Sequence, residues 1–161
     1  MKRIAKFEKI SKANFLSSST DYTEDDYNEY LLPKRATSGS AGYDFFAVKD
    51  FYLKPGETVT VPTGVRAYIE DGWVLKIYPR SGLGFKYRLS LNNTVGIIDS
   101  DYYYSDNEGH IFIRMTNCGN KDVEVKKGQG FAQGIFLEYG ITVDDDVTTV
   151  RNGGFGSTTK A

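Results

Sequence analysis

Apolar residues fall along this chain in short runs, and glycine, proline or polar residues break every run. The clearest alternation is Trp73-Val-Leu-Lys-Ile-Tyr, which stops at Pro79. Side chains two apart on a strand share a face, so this pattern predicts a half-buried strand. Comparable runs predict strands at 4–10, 41–48, 51–53, 57–61, 65–69, 89–91, 95–98, 111–115, 123–125 and 131–137. Many short strands at near-regular spacing indicate an all-β sandwich, barrel or jelly roll. No window carries a long amphipathic helix. The best short helix is 81–87, with Ser81 placed to cap it.

Two stretches depart from the strand pattern. Residues 17–29 are polar and acidic, with Ser-Ser-Ser-Thr and Glu-Asp-Asp, and read as a surface insertion or short helix outside the core. Apolar content falls again after Asp144. Residues 1–146 are therefore expected to form the β domain, and 147–161 a flexible C-terminal arm. That arm still carries Gly-Gly-Phe-Gly-Ser-Thr-Thr, an unusual composition for an idle tail.

Composition sharpens this picture. Seventeen glycines, twelve tyrosines and ten phenylalanines favour turns and strands. The net charge of −1 provides no global field toward nucleic acid or a membrane, so neither is an expected partner. Cys118 is the single cysteine, which rules out an intrachain disulfide and fits a reducing compartment. No run approaches the roughly 18 apolar residues of a membrane span. Met1-Lys-Arg-Ile-Ala-Lys-Phe lacks an apolar signal core, so a cytoplasmic location is expected, or the host cytoplasm for a viral gene. One histidine and one cysteine cannot close a zinc site. His110 joins no Ser/His/Asp arrangement and is expected to be a surface or strand residue.

Four stretches could carry chemistry. Pro79-Arg80-Ser81-Gly82 follows a strand and opens the short helix; an arginine, a hydroxyl and converging N–H groups suit an anion, although a capped turn has the same composition. Arg151-Asn-Gly-Gly-Phe155-Gly156-Ser157-Thr158 adds a second arginine, glycines that let backbone approach phosphate, and a ring able to stack on a base. Gly128-Gln-Gly-Phe-Ala-Gln133 partly matches a dinucleotide fingerprint, but Gln133 occupies the third glycine position and no βαβ unit surrounds it. It reads better as a turn entering a strand. Asp99 and Asp101 follow Val95-Gly-Ile-Ile98 and would share a face on a continuing strand; they are either a turn or a functional carboxylate pair.

The order of these stretches says more than any one of them. Ala41-Gly-Tyr-Asp44, Pro79-Arg-Ser-Gly82, Asn93-Thr-Val-Gly-Ile-Ile-Asp-Ser-Asp-Tyr102, Gly128-Gln-Gly-Phe-Ala-Gln133 and Arg151 to Thr158 resemble the five motifs of the trimeric dUTP diphosphatases (dUTPases). The resemblance covers about 31–158. It implies a distorted jelly-roll or β-clip fold, a homotrimer with shared sites, dUTP as substrate and Mg²⁺ as cofactor. It makes Asp99 the base that activates water. It gives Asn93 and the backbone of Gly96, Ile97 and Ile98 to uracil, and Tyr102 to deoxyribose. Arg80, Ser81, Gly82 and Gln133 would bind phosphate, and Asp44 would hold the metal, through water. Arg151, Phe155, Gly156, Ser157 and Thr158 would close the arm over the substrate.

The chain departs from the family pattern in four places. Gly130 stands where the fourth motif usually has arginine. The fifth motif is one residue short between Arg151 and Phe155. Residues 103–108 look inserted before Gly109, and 17–29 look like added length. Two rival functions follow. One is a regulatory protein-binding role, with the inserted segments as docking surface. The other is deamination of dCTP on the sister fold, which places a glutamate where this chain has Arg114.

Overall fold

The computed structural model describes residues 1–151 and 153. Among them the chain forms, in order, β1 (Ala5–Lys9), α1 (Lys12–Ser17), α2 (Glu24–Glu29), β2 (Lys34–Arg35), β3 (Tyr43–Phe46) and β4 (Phe51–Leu53). There follow β5 (Thr58–Pro62), β6 (Val65–Ile69), β7 (Trp73–Pro79), α3 (Ser81–Tyr87), β8 (Leu89–Leu91) and β9 (Gly96–Ile98). A 3₁₀ turn (Ser100–Tyr104), β10 (Phe112–Asn117), β11 (Val123–Val125) and β12 (Gly130–Glu138) complete it. The expected mostly-β architecture is present, as antiparallel sheets arranged like a jelly roll.

The largest sheet has the order β2-β3-β12-β7-β9; a second has β5-β10-β8, and β1-β6 and β4-β11 are pairs. The alternation read in 73–79 is realised: Leu75 and Ile77 are fully buried, whereas Lys76 and Tyr78 are only partly covered. Phe45, Phe131, Leu89 and Met115 join them in one core. Each such side chain stabilises the fold by roughly 1.5–3 kcal/mol. Residues 81–87 are helical as expected, but Ser81 does not cap the helix. Arg80 takes the N-cap position, and no side chain bonds the free amides there.

The polar 17–29 stretch is less superficial than its sequence suggests. Thr23 and Asp26 form a capping box at the start of α2: the Thr23 hydroxyl accepts from the Asp26 amide, and the Asp26 carboxylate accepts from the Thr23 amide. Asp26 is itself 2% exposed and pairs with Lys49 at 2.8 Å and Lys127 at 2.9 Å. Phe15, on α1, stacks with Tyr22 and Tyr30. The Tyr22 hydroxyl donates to the Pro62 carbonyl at 2.6 Å, and that of Tyr30 donates to the Gly64 carbonyl at 2.7 Å. Widely spaced tyrosines, rather than an aliphatic stripe, fasten the segment to the sheets.

His110 also departs from expectation. It lies just before β10, is 3% exposed, and accepts the Gly64 amide on Nε2 at 2.9 Å. Burial pushes its imidazole down to about 4, against a smaller upward pull from Glu108. An acceptor nitrogen requires the neutral ring, so geometry and burial agree.

Two acid-labile elements follow. His110 titrates near 6.5 when unfolded and about 4 when folded. Its contribution is complete above pH 6.5 and is lost as pH falls toward 4, on the order of 3 kcal/mol in all. Burial would raise the Asp26 carboxyl, but Lys49, Lys127 and Thr23 outweigh it and hold it well below the usual range. That contribution is present above the ordinary carboxylate pKa of about 4 and disappears below it. Urea unfolding at about pH 7, 5 and 3 measures both. His110→Gln, whose amide oxygen can replace Nε2 as acceptor, should flatten the loss between pH 7 and 5. Asp26→Asn should destabilise by about 1–3 kcal/mol at neutral pH. A wild-type stability that stays level from pH 7 to 4.5 contradicts the His110 account.

Candidate active site

Strand register places most of the candidate residues. β12 pairs with β3 and β7 on either side, so Gln133 lies opposite Asp44 on one strand and Tyr78 on the other. Pro79 ends β7, and Arg80 and Ser81 turn directly into α3. The Gln133 side-chain amide donates to the Pro79 carbonyl at 3.1 Å. Arg80 Nε meets Asp44 Oδ1 at 3.2 Å. The register therefore gathers Asp44, Arg80, Ser81 and Gln133 at one end of the five-stranded sheet. Gly82, in the first turn of α3, belongs to the same corner.

Gly130 explains its own departure from the family pattern. The Arg80 guanidinium reaches back over it, with Nη1 3.4 Å from the Gly130 carbonyl. A Cβ at Gly130 would come 2.9 Å from that nitrogen, so a side chain here would displace the arginine.

The second group meets β7 at its middle, where Gly96 pairs with Ile77 and Ile98 with Leu75, and runs from there toward the strand's N-terminal end. The turn from β8 to β9, which carries the chain from one sheet to the other, is drawn tight by the Thr94 amide on the Leu91 carbonyl (3.1 Å) and the Val95 amide on the Asn93 carbonyl (2.7 Å). Thr94 sits in the left-handed region at φ 66°. Ile98 pairs with Leu75 of β7, and the next residue, Asp99, leaves the sheet into the 3₁₀ turn. Asn93, Gly96, Ile97, Ile98, Asp99 and Tyr102 all line one cavity of about 350 Å³.

Arg151 lines the same cavity. Its guanidinium donates to Asp99 Oδ2 at 2.6 Å and to Asp101 Oδ1 at 2.9 Å. Asp101 therefore acts as an arginine holder, and Asp99 takes the other half of the fork. Phe155, Gly156, Ser157 and Thr158 lie outside the described residues.

Tyr102 is 7% exposed, and its ring forms part of the cavity wall. Its hydroxyl donates to the His110 carbonyl at 2.6 Å and accepts from Asn107 Nδ2 at 2.9 Å. Burial raises its phenol, with Asn107 and Arg151 pulling the other way. The ring is thus a neutral wall. Sequence reasoning did not find Asn107 or His110 as supports for it. Neither carries a local signal, because an Asn in a polar turn looks solvent-facing. Arg114, set aside as a mismatch to the deaminase pattern, also lines the cavity.

Five residues of strand separate Leu75, opposite Ile98, from Arg80. At about 3.3 Å per residue that is roughly 17 Å, so one chain does not bring the Arg80 group to the Asp99 group. Arg80, Ser81 and Gln133 line a cavity separate from the one beside Asp99. No cluster of three or more His, Cys, Asp or Glu side chains suited to a metal occurs among the described residues. Asp44 alone cannot make a closed cation site. One carboxylate does suit Mg²⁺, which takes few protein ligands when phosphate oxygens and water complete its shell.

Comparison with known proteins agrees with the motifs. The dUTPase family model matches residues 28–159. The deoxyuridine 5'-triphosphate nucleotidohydrolase of Lactococcus lactis is 44% identical over 130 residues, covering 79% of this chain and 87% of its own. That of Haemophilus influenzae is 42% identical over 141 residues, covering 83% and 90%. The crystal structure of the Streptococcus mutans dUTPase superposes with a TM-score of 0.66 at 40% identity, over 86% of this chain and 98% of its own. A dUTPase from phage phi11 of S. aureus, whose structure coordinates a structural Mg(II) ion, shares the fold at 18% identity, with a TM-score of 0.65 over 91% of this chain and 98% of its own. Five motifs in order, a matching fold and these identities establish that the chain belongs to the dUTPase family.

Proposed function

We infer that this chain hydrolyses dUTP to dUMP and pyrophosphate, with Asp99 as the general base. The observation that carries this reading is the position of Asp99. It stands at the end of β9, on the wall of a cavity formed by the tight β8–β9 turn, β9 and the Tyr102 ring. Uracil fits beside β9, an edge strand whose backbone groups at Gly96 to Ile98 can pair with its polar edge. A methyl at the thymine position would collide with the close walls. Arg114, not a glutamate, lines this cavity, so the base required for cytosine deamination is missing from that position.

In the reaction, Asp99 orients a water and accepts its proton. The water oxygen forms a bond to the α-phosphorus, the bond to the bridging oxygen breaks, and pyrophosphate leaves. Arg80, Ser81, Gly82 and Gln133 hold phosphate oxygens, and Arg151 neutralises charge on the triphosphate. Such fixed positive groups are the main source of rate in phosphoryl chemistry. Asp44 would hold Mg²⁺ through water, and the bound ion would supply charge neutralisation on the triphosphate. Phe155, Gly156, Ser157 and Thr158 complete the closure as the resemblance implies.

The separation of roughly 17 Å along β7 supports sites shared between copies, as in the homotrimer that the resemblance implies. A triphosphate held by Arg80 and Gln133 of one copy would reach Asp99 of another. Removing dUTP would keep uracil out of DNA and supply dUMP for thymidylate synthesis. The cytoplasm, where nucleotide pools are maintained, suits this role.

Asp99→Asn keeps size and polarity but removes the base. It should lower kcat by about 10²–10⁴-fold with little loss of dUTP affinity. Pyrophosphate release from dUTP, dTTP, dCTP and UTP with Mg²⁺ tests the substrate assignment, and equal rates on all four would end it. Deleting residues 147–161 should abolish most turnover yet leave the oligomer seen in light scattering. A truncated protein with wild-type kcat would remove the arm from the mechanism.

A further inference from the structure

The 103–108 stretch backs the wall of the cavity, behind Tyr102. Asn107 reaches back to the Tyr102 hydroxyl, donating from Nδ2 at 2.9 Å. Its Oδ1 accepts the Gly109 amide at 3.2 Å, and its carbonyl accepts the His110 amide at 3.2 Å. Those bonds fix the Asn107 side chain before it touches the tyrosine. Gly109 closes the turn at φ 69°, where a Cβ would sit 2.7 Å from the Tyr102 carbonyl, so only glycine lets the strand return this closely. The turn is fastened outside as well. Glu108 accepts the Ser11 amide at 2.7 Å, and the Tyr103 hydroxyl donates to Glu8 at 2.6 Å. The Arg66 guanidinium lies 3.6 Å from the centre of the Tyr103 ring.

A tyrosine at a cavity wall has freedom to swing about its side-chain torsions. Here the hydroxyl at its far end is held twice, by the His110 carbonyl and by Asn107. His110 is itself anchored to Gly64. The ring therefore cannot retreat without breaking buried hydrogen bonds. A wall that cannot retreat excludes a sugar one hydroxyl larger; a wall that can retreat admits it.

We propose that Asn107 is a positioning residue that locks Tyr102 against the sugar, so that the 103–108 insertion sets the preference for deoxyribose over ribose. This rests on the reading of the cavity as a dUTP site, with Tyr102 beside the sugar. The specificity lies in the second bond to the hydroxyl, because Asn107 does not itself line the cavity. Loss of one neutral hydrogen bond of about 1 kcal/mol corresponds to a change of roughly fivefold to tenfold in discrimination.

The test is the ratio of kcat/KM for dUTP to that for UTP, in wild type, Asn107→Asp, Tyr102→Phe and the double variant. Asn107→Asp keeps the shape and removes the donor. It should lower the ratio about fivefold to tenfold, mainly through a lower KM for UTP. Tyr102→Phe removes both bonds and should lower the ratio at least as far. In the double variant the Asn107 change should add nothing, because its partner atom is gone. A further loss there would mean that Asn107 acts on the fold and not through the hydroxyl, and would overturn the proposal. So would an unchanged ratio in Tyr102→Phe, which remains measurable even if Asn107→Asp does not fold. A wild type that ignores dUTP, or hydrolyses UTP equally well, would instead overturn the functional reading beneath it.

Discussion

The site depends on β7 and the two antiparallel ladders it carries. On one edge β12 sets Gln133 opposite Tyr78; on the other β9 sets Ile98 opposite Leu75. A slip of one residue in either ladder would turn alternate side chains to the wrong face. The buried Leu75 and Ile77 make such a slip costly, because both would be exposed to solvent. The core residues of β7 thus fix the positions of both groups, and Ile77 itself lines the cavity beside Asp99. The same rigidity keeps those groups apart within one chain.

Much of this was legible in the sequence because strands and glycine-rich turns leave local marks. The runs 51–53, 65–69, 89–91 and 123–125 are strands with those same limits. The candidate residues of the third motif all fall on one cavity, since a tight turn and the short strand after it keep neighbours in sequence close in space. Asp44, Arg80 and Gln133 are far apart in sequence, and only the β3-β12-β7 register unites them. No local pattern encodes that register. The ordered resemblance to a family supplied it instead.

Long-range polar contacts account for what sequence reading missed. Asp26 looks like one member of an acidic surface run, yet Lys49 and Lys127 draw it into the interior. His110 looks like a strand or surface residue, yet the Gly64 amide needs an acceptor where the chain is buried. Gly130 looks like a lost arginine, although the space beside it is filled by Arg80. In each case the deciding partner is tens of residues away. A buried polar group must find a partner somewhere, and sequence alone does not say where.

The Arg151 fork ties the start of the C-terminal segment to Asp99 and Asp101. A carboxylate oxygen that accepts from a guanidinium at 2.6 Å is less available to accept from water. Asp101 holds the same guanidinium at 2.9 Å, so Arg151 sits between two carboxylates rather than on the base alone. A triphosphate presents more charge to that fork than either aspartate does. On the proposed reading, a guanidinium that turned to phosphate would leave Asp99 while Asp101 remained alongside. The contact that commits the arm to substrate would then also be the one that frees the proposed base. Spacing Asp99 and Asp101 by one residue permits this, because one arginine can span both.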